Sequence, residues 1–210
     1  MSTTKQRLIE GALQAVREHG IAGVSARTIA AAADVNQALV FYHFGSVDDL
    51  LAAACREATK ARVAVYAERF ARVTTLRELL DLGREVHAVE HKLGNVSVLA
   101  QMLAGAQSDP RLAGGTADSL RMWTVEIEAV LSRLLKDTPV SEIADVAGLA
   151  TAISAAFVGL ELYEAVDPAG AQQALTAIEQ LAVLLEVMDD LGPVARRALR
   201  AKVAKVHRAR

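Results

Sequence analysis

The chain is short of several things that would define other kinds of protein. It has one cysteine, Cys55, so no internal disulfide can form. That excludes a disulfide-stapled scaffold and makes a reducing cytoplasm the simplest compartment. Aromatic residues are 4% of the total, with 4 Pro and 13 Gly among 210 residues. Period-two runs of Val, Ile, Thr and aromatics are missing, so no strand is expected. Long apolar runs are missing as well. The longest uncharged stretches, residues 93–108 and 146–160, are shorter than the about 20 apolar residues of a membrane span and read as buried helices. The opening residues, MSTTKQRLIEGAL, carry charges where a signal peptide needs an apolar core. No Gly-rich phosphate loop occurs, because Ala113-Gly114-Gly115 has neither the motif nor a preceding strand.

What is present favours helix. Alanine, the best helix former, makes up about a fifth of the chain. With 52% hydrophobic and 23% charged residues and a mean hydropathy of +0.25, the chain can bury a core. The net charge is −2 but unevenly spread: +1 over residues 1–45, −10 over 46–192 and +7 over 193–210. Overall charge therefore does not announce a nucleic-acid binder. The basic tail (Arg196, Arg197, Arg200, Lys202, Lys205, Arg208, Arg210) reads as a solvated helix face.

Helical spacing recurs throughout. Leu8, Ile9, Ala12, Leu13 and Val16 form one face of a first helix, with Gly20 placed to end it in a left-handed cap. Ser25 can cap a second, short helix, and Asn36 a third. Ser46 opens a long fourth helix, to about Arg72, with Asp48 and Asp49 in its first turn. Thr75 and Glu78 form a capping box for a fifth, to about Leu93. A sixth covers roughly 95–105, a loop is expected over 108–115, and a seventh helix covers about 116–136. The Asp137-Thr138-Pro139 turn introduces an eighth, and Asp167-Pro168 divides it from a ninth that ends near Leu191. Gly192-Pro193 then separates a final basic helix.

The eighth and ninth helices are apolar on more than one face. In the eighth, Ile143, Val146, Ala150, Ile153, Phe157 and Leu160 make one stripe, and Gly148, Ala152, Ala155, Ala156 and Gly159 a second of small residues. In the ninth, Leu175, Ile178, Ala182 and Leu185 face one side, and Ala174, Ala177, Leu181, Leu184 and Met188 another. Such helices are buried on two sides, and in a small chain one side suits a second subunit. A homodimer through about 141–166 and 170–190 is expected, against the plainer reading of central core helices.

The most informative stretch is SARTIAAAADVNQALVFYHFGSVDDL, residues 25–50. It reads as two short helices joined at Ala33-Asp34-Val35, where Asp34 tolerates a left-handed backbone. The second starts with polar Asn36 and Gln37, continues with Ala38 and Leu39, and ends in Phe41, Tyr42, His43 and Phe44. That suits a helix whose N-terminal residues enter a DNA major groove. Gln37 could pair with an adenine edge, and Ala38 or Leu39 could touch a thymine methyl. Arg27 could reach guanine or phosphate, and Tyr42 and His43 could donate to phosphates. An ordinary helical hairpin would also explain each residue singly, with Val35 and Phe44 as core.

This region resembles the TetR family of transcriptional regulators. The likeness rests on Ile29-Ala30, the run DVNQALVFYHF, the Gly-Ser that follows, and Ser46 with Asp49 and Leu50; it covers about residues 5–60. It implies an all-α protein with an N-terminal three-helix DNA-binding domain with a helix-turn-helix, residues 1–46, and a larger helical effector-binding and dimerisation domain, residues 47–210. It also implies a homodimeric DNA-binding repressor or, less often, activator, bound to a pseudo-palindromic operator in double-stranded DNA and released by a small-molecule effector. DNA-binding positions fall on Ser25, Arg27, Asn36, Gln37, Ala38, Leu39, Phe41, Tyr42 and His43. Three positions depart from the family: a turn glycine is Asp34, a common tyrosine is Phe41 and a common lysine is Val47.

No cofactor, metal, catalytic residue or membrane is called for. His87, Glu90 and His91 match the H-x-x-E-H pattern of some zinc proteases, with both His on one helix face. A metal-dependent hydrolase is thus the rival from another class, and a helical adaptor without DNA affinity a second. Cys55 lies at helical spacing with no nucleophile constellation around it and reads as core or inert surface. The few aromatics outside the motif, with two adaptable methionines, mark an effector pocket between helices five to eight. Tyr66, His87, Met102, Met122, Trp123 and Phe157 would line it, Trp123 foremost.

Overall fold

The computed structural model describes residues 3–136, 138 and 144–189, together with 192, 194, 195, 197, 198 and 201. Among these residues the regular structure is helical, with no strand: α1 (Thr4–His19), a 3-10 turn (Ile21–Gly23), α2 (Ala26–Ala33), α3 (Ala38–Phe44), α4 (Val47–Arg72), α5 (Leu76–Lys92), α6 (Asn95–Ser108), α7 (Pro110–Leu135), α8 (Val146–Glu164) and α9 (Pro168–Asp189). Two compact units interleave along the sequence. The first holds residues 1–65 and 87–122, the second 66–86 and 123–210.

In the first unit, Leu8, Ala12, Ala15 and Val16 of α1 are fully buried with Ile29 of α2, Val40 of α3, Leu50 and Ala54 of α4, and Met102 of α6. Val35, Leu39 and Phe44 are partly buried against this core. Close approach of α1 and α2 depends on Gly11, where a Cβ would lie 2.9 Å from that of Ala33. The second unit has its own core, made by Tyr66, Phe70, Val73, Leu79, Leu82, Val86, Val130, Leu131, Leu135 and Ala150. Arg133 donates to the carbonyl oxygen of Phe70 at 2.7 Å and so covers an orphan acceptor at the end of α4.

Local signals hold in most places and shift in a few. Gly20 has the positive φ expected of it, 67°, but its ψ of 165° is extended rather than left-handed helical, so α1 turns sharply into the 3-10 turn. The box at the start of α5 is displaced by one residue. Thr75 Oγ1 accepts the Glu78 N–H at 3.1 Å, while the Glu78 carboxylate reaches back to the N–H of Thr74 at 2.6 Å.

The expected loop over 108–115 is corrected: α7 starts at Pro110 and runs straight through Gly114 and Gly115. Asp109 ends α6 and starts α7, its carboxylate accepting the Arg111 N–H at 3.0 Å, and Pro110 takes the first helical position. Gly115 serves packing, because a Cβ there would meet Ala52 Cβ at 2.5 Å. α8 is capped by Asp145, whose Oδ1 accepts the Gly148 N–H at 3.0 Å. The Asp137 and Pro139 signals, Ile143, and most of the basic tail lie outside the described residues, as do the side chains of Leu181, Ala182, Leu184, Leu185 and Met188.

α8 also corrects the reading of its sequence as too short for a membrane span. The helix continues past Leu160 to Glu164, and by length and composition it could cross a membrane, with a mean hydropathy of 1.6. Its small-residue stripe (Gly148, Ala152, Ala155, Ala156, Gly159) is exposed, as are Leu149, Leu162 and Tyr163. The opposite stripe turns inward, with Ala150 buried and Val146, Ile153, Phe157 and Leu160 partly so.

Candidate nucleic-acid interface

Ser25 starts α2 with a complete capping box. Its hydroxyl accepts the Thr28 N–H at 3.2 Å, and its own N–H donates to Thr28 Oγ1 at 2.9 Å. Arg27 follows in the first turn, exposed. Asp34 ends α2 with φ 49° and ψ 54°, the left-handed conformation read from the sequence. The Asp34 N–H donates to Ala31 at 3.2 Å and the Val35 N–H to Ala30 at 3.0 Å, the paired bonds of a left-handed helix stop. Arg7 of α1 closes over this turn, donating to the Asp34 carbonyl oxygen at 2.5 Å and to its Oδ2 at 3.2 Å.

Asn36 opens the next helix as expected: its Oδ1 accepts the Ala38 N–H at 2.8 Å, so its carboxamide oxygen is committed to the backbone. Gln37 and Ala38 are exposed beside it. Along α3 the faces divide cleanly. Val40 is fully buried, while Phe41 is 53% and Tyr42 80% exposed. Leu39, one of the expected contact positions, is partly buried against the first core. The rings of Tyr42 and His43 meet edge-on with centroids 4.9 Å apart. Phe44 packs inward under Lys5 of α1, whose Nζ lies 5.5 Å from the ring centroid. Gly45, with φ 81°, turns the chain, and Ser46 Oγ accepts the Asp49 N–H at 3.1 Å to start α4.

The result is a short helix seated by Val40, Leu39 and Phe44, presenting Gln37, Ala38, Phe41 and Tyr42 outward next to Arg27 and Ser25 of the preceding helix. Phe41 and Tyr42 put two neighbouring aromatic side chains on this face. Sequence reasoning missed Lys5, Arg7 and Gly11, which hold the pair of helices in place. A glycine inside an amphipathic helix was the available signal for Gly11. The two cations carry none, because their partners are 39 and 27 residues away.

The other expected sites divide between the two units. Tyr66 and Trp123 come together in the second unit with centroids 5.9 Å apart, and Phe70 lies 6.4 Å from the same indole. Phe157 is partly buried on α8 of that unit. His87, Met102 and Met122 belong to the first unit, where Met102 is 1% exposed in the core. The rings of His87 and His91 lie tilted at 44° with centroids 5.7 Å apart, as i, i+4 spacing allows. Glu90 does not join them. It is buried and held by Arg62 Nε at 2.8 Å and Asn95 Nδ2 at 2.7 Å. A carboxylate held by a guanidinium and an amide lacks the freedom a hydrolytic base needs, so the H-x-x-E-H reading loses its central residue.

The fold and this surface define a helical protein with an N-terminal helix-turn-helix. Residues 8–54 match the family model described as bacterial regulatory proteins, tetR family, so the likeness to that family is carried by the N-terminal region. Over 80 residues it is 30% identical to the HTH-type transcriptional repressor AcnR of Corynebacterium glutamicum, which is 38% of this chain and 42% of that repressor. Similar solved structures extend over most of the chain. A transcriptional regulator from Pseudomonas aeruginosa PAO1 aligns over 92% of each chain at 22% identity with a TM-score of 0.67. The multidrug binding protein EbrR, solved with imidazole, aligns over 84% of this chain and 95% of its own at 27% identity, with a TM-score of 0.61.

Proposed function

We propose that this protein is a ligand-responsive transcriptional repressor. It binds as a homodimer to a pseudo-palindromic operator and leaves it when a small molecule binds. The observation that carries the DNA reading is the outward face of α3: Gln37, Ala38, Phe41 and Tyr42 are exposed on a helix whose other face is anchored in the core. Gln37 and Ala38 read base edges from the start of the helix, and Arg27 adds a guanine or phosphate contact. Tyr42 and His43 donate to phosphates and set the register. The 30% identity to a repressor supports the sign of regulation. An operator-bound protein acts in the cytoplasm.

The dimer reading rests on α8, whose exposed stripe of Gly and Ala, flanked by Leu149 and Leu162, allows a second copy to approach its backbone closely. Two α3 helices then meet successive major grooves roughly 34–36 Å apart. For the effector we favour an apolar wall that includes Tyr66, Phe70 and Trp123. That EbrR was solved with a small nitrogen heterocycle bound agrees with a ligand-binding role. Effector binding acts through α4, changing the separation of the two α3 helices with a coupling of about 1–3 kcal/mol.

A mobility-shift titration with DNA from beside the protein's own gene, repeated across salt concentrations, tests the core of the reading. Saturable binding that survives excess random duplex is expected. Binding no stronger than to random duplex would leave the helical-adaptor reading in its place.

A further inference from the structure

The turn before α3 holds a charge pair that the DNA reading does not use. Asp34 is two residues from Asn36, so wherever the start of α3 enters a groove, the Asp34 carboxylate travels with it to within about 7 Å. Its side chain is fully exposed. A bare carboxylate there would face phosphates of like sign. Arg7 is the counterweight: its Nη2 lies 3.2 Å from the carboxylate and 2.5 Å from the carbonyl oxygen of the same residue. Over residues 1–45 only four cations are present, Lys5, Arg7, Arg17 and Arg27. Arg7 is bound to Asp34, Arg17 donates to Asn95 at 3.0 Å, and Lys5 sits over Phe44.

We propose that Asp34 is a specificity-determining residue that withholds Arg7 from DNA. By occupying the guanidinium it lowers the charge-driven attraction to any duplex, so that discrimination falls to the side chains of α3. The argument has two parts. Attraction to phosphates is independent of sequence, and each cation that reaches a phosphate adds about 0.9 to the slope of log affinity against log salt. A cation closed in a pair with a carboxylate presents a dipole instead, whose field decays faster than that of a free charge. The backbone bond from Arg7 fixes the turn at the same time, so one side chain holds the left-handed residue and is itself neutralised. The proposal rests on the DNA reading above.

The test uses the full chain and two probes: a duplex recovered from a random library by selection with the wild-type protein, and a scrambled duplex of the same composition. Asp34→Asn keeps a residue that tolerates the left-handed turn, and Asp34→Gly removes the side chain without backbone cost. Both variants should bind the scrambled duplex about three- to tenfold more tightly at low salt, gain less on the selected one, and show a salt slope steeper by about 0.9. Arg7→Ala should leave the wild-type slope unchanged but cancel the steepening in the Asp34→Asn background. A turn residue with a merely structural role would weaken binding to the selected duplex and raise nothing. Wild-type enrichment of a sequence, together with an unchanged slope in both Asp34 variants or a steepening that survives Arg7→Ala, overturns the proposal alone. No enrichment by the wild-type protein overturns the regulator reading, and this proposal with it.

Discussion

In the proposed DNA reading, single side chains on the outer face of α3 divide the labour of recognition. Gln37 is free to read a base, whereas Asn36 has given its oxygen to the Ala38 N–H. Gln37→Ala should therefore lower affinity for the operator by about 1–3 kcal/mol and leave affinity for random DNA nearly unchanged, as competition binding would show. An equal loss on both DNAs would make Gln37 a phosphate contact. Elsewhere the decisive side chain is Glu90. Burial of a carboxylate is tolerated here because Arg62 and Asn95 satisfy it, and Asn95 in turn accepts from Arg17 of α1. Glu90→Ala takes the carboxylate away from a partly buried guanidinium and should cost about 3 kcal/mol in a urea titration. Cys55 offers a third check. Burial pushes its thiol above the ordinary range, outweighing the hydrogen bond with Ser119. The thiol therefore stays protonated at neutral pH, and maleimide labelling should be slow in the folded protein and fast in urea.

At the scale of elements, helix ends follow local chemistry and helix faces follow packing. Ser25, Asp34, Asn36 and Ser46 all act at the ends their sequence suggested, because a cap needs only a short polar side chain and a free N–H within three residues, whereas the cap of α8 is Asp145, which the sequence reading did not single out. The reading failed at Gly114-Gly115. Two adjacent glycines look like a loop, yet the second is the contact point of α7 on α4, at Ala52. Gly115→Ala should destabilise the fold by about 1–3 kcal/mol, and Ala52→Gly in the same chain should restore part of the loss; thermal melts of the two variants decide it. If Gly115 were only a helix-weakening residue, the alanine would stabilise.

For the whole molecule, the open matters are assembly and coupling. α8 exposes Leu149, Leu162 and Tyr163 beside its small-residue stripe, and Leu162, at 51% exposure, stands within that face. Leu162→Arg should give a monomer in sedimentation with helical content intact, and operator affinity should fall because two half-sites no longer bind as one. A dimer that survives the change would move the interface off this face. Trp123, the one tryptophan, would report on the proposed effector wall: an effector bound there should change its emission on titration, whereas a compound that releases DNA without changing it binds elsewhere.

The all-helical class and the end of each early helix were legible in the sequence because they depend on neighbours within a few positions. Helical period, capping chemistry and the tolerance of Asp34 for a left-handed backbone are all local properties. What only the tertiary structure decided lies between residues far apart in the chain. Arg7 reaches Asp34, Arg62 takes Glu90 away from the two histidines, and Gly115 meets Ala52. Met102 lies in the first core and Trp123 packs against the second, a distinction the sequence does not carry, because apolar character says that a side chain is buried and not against what.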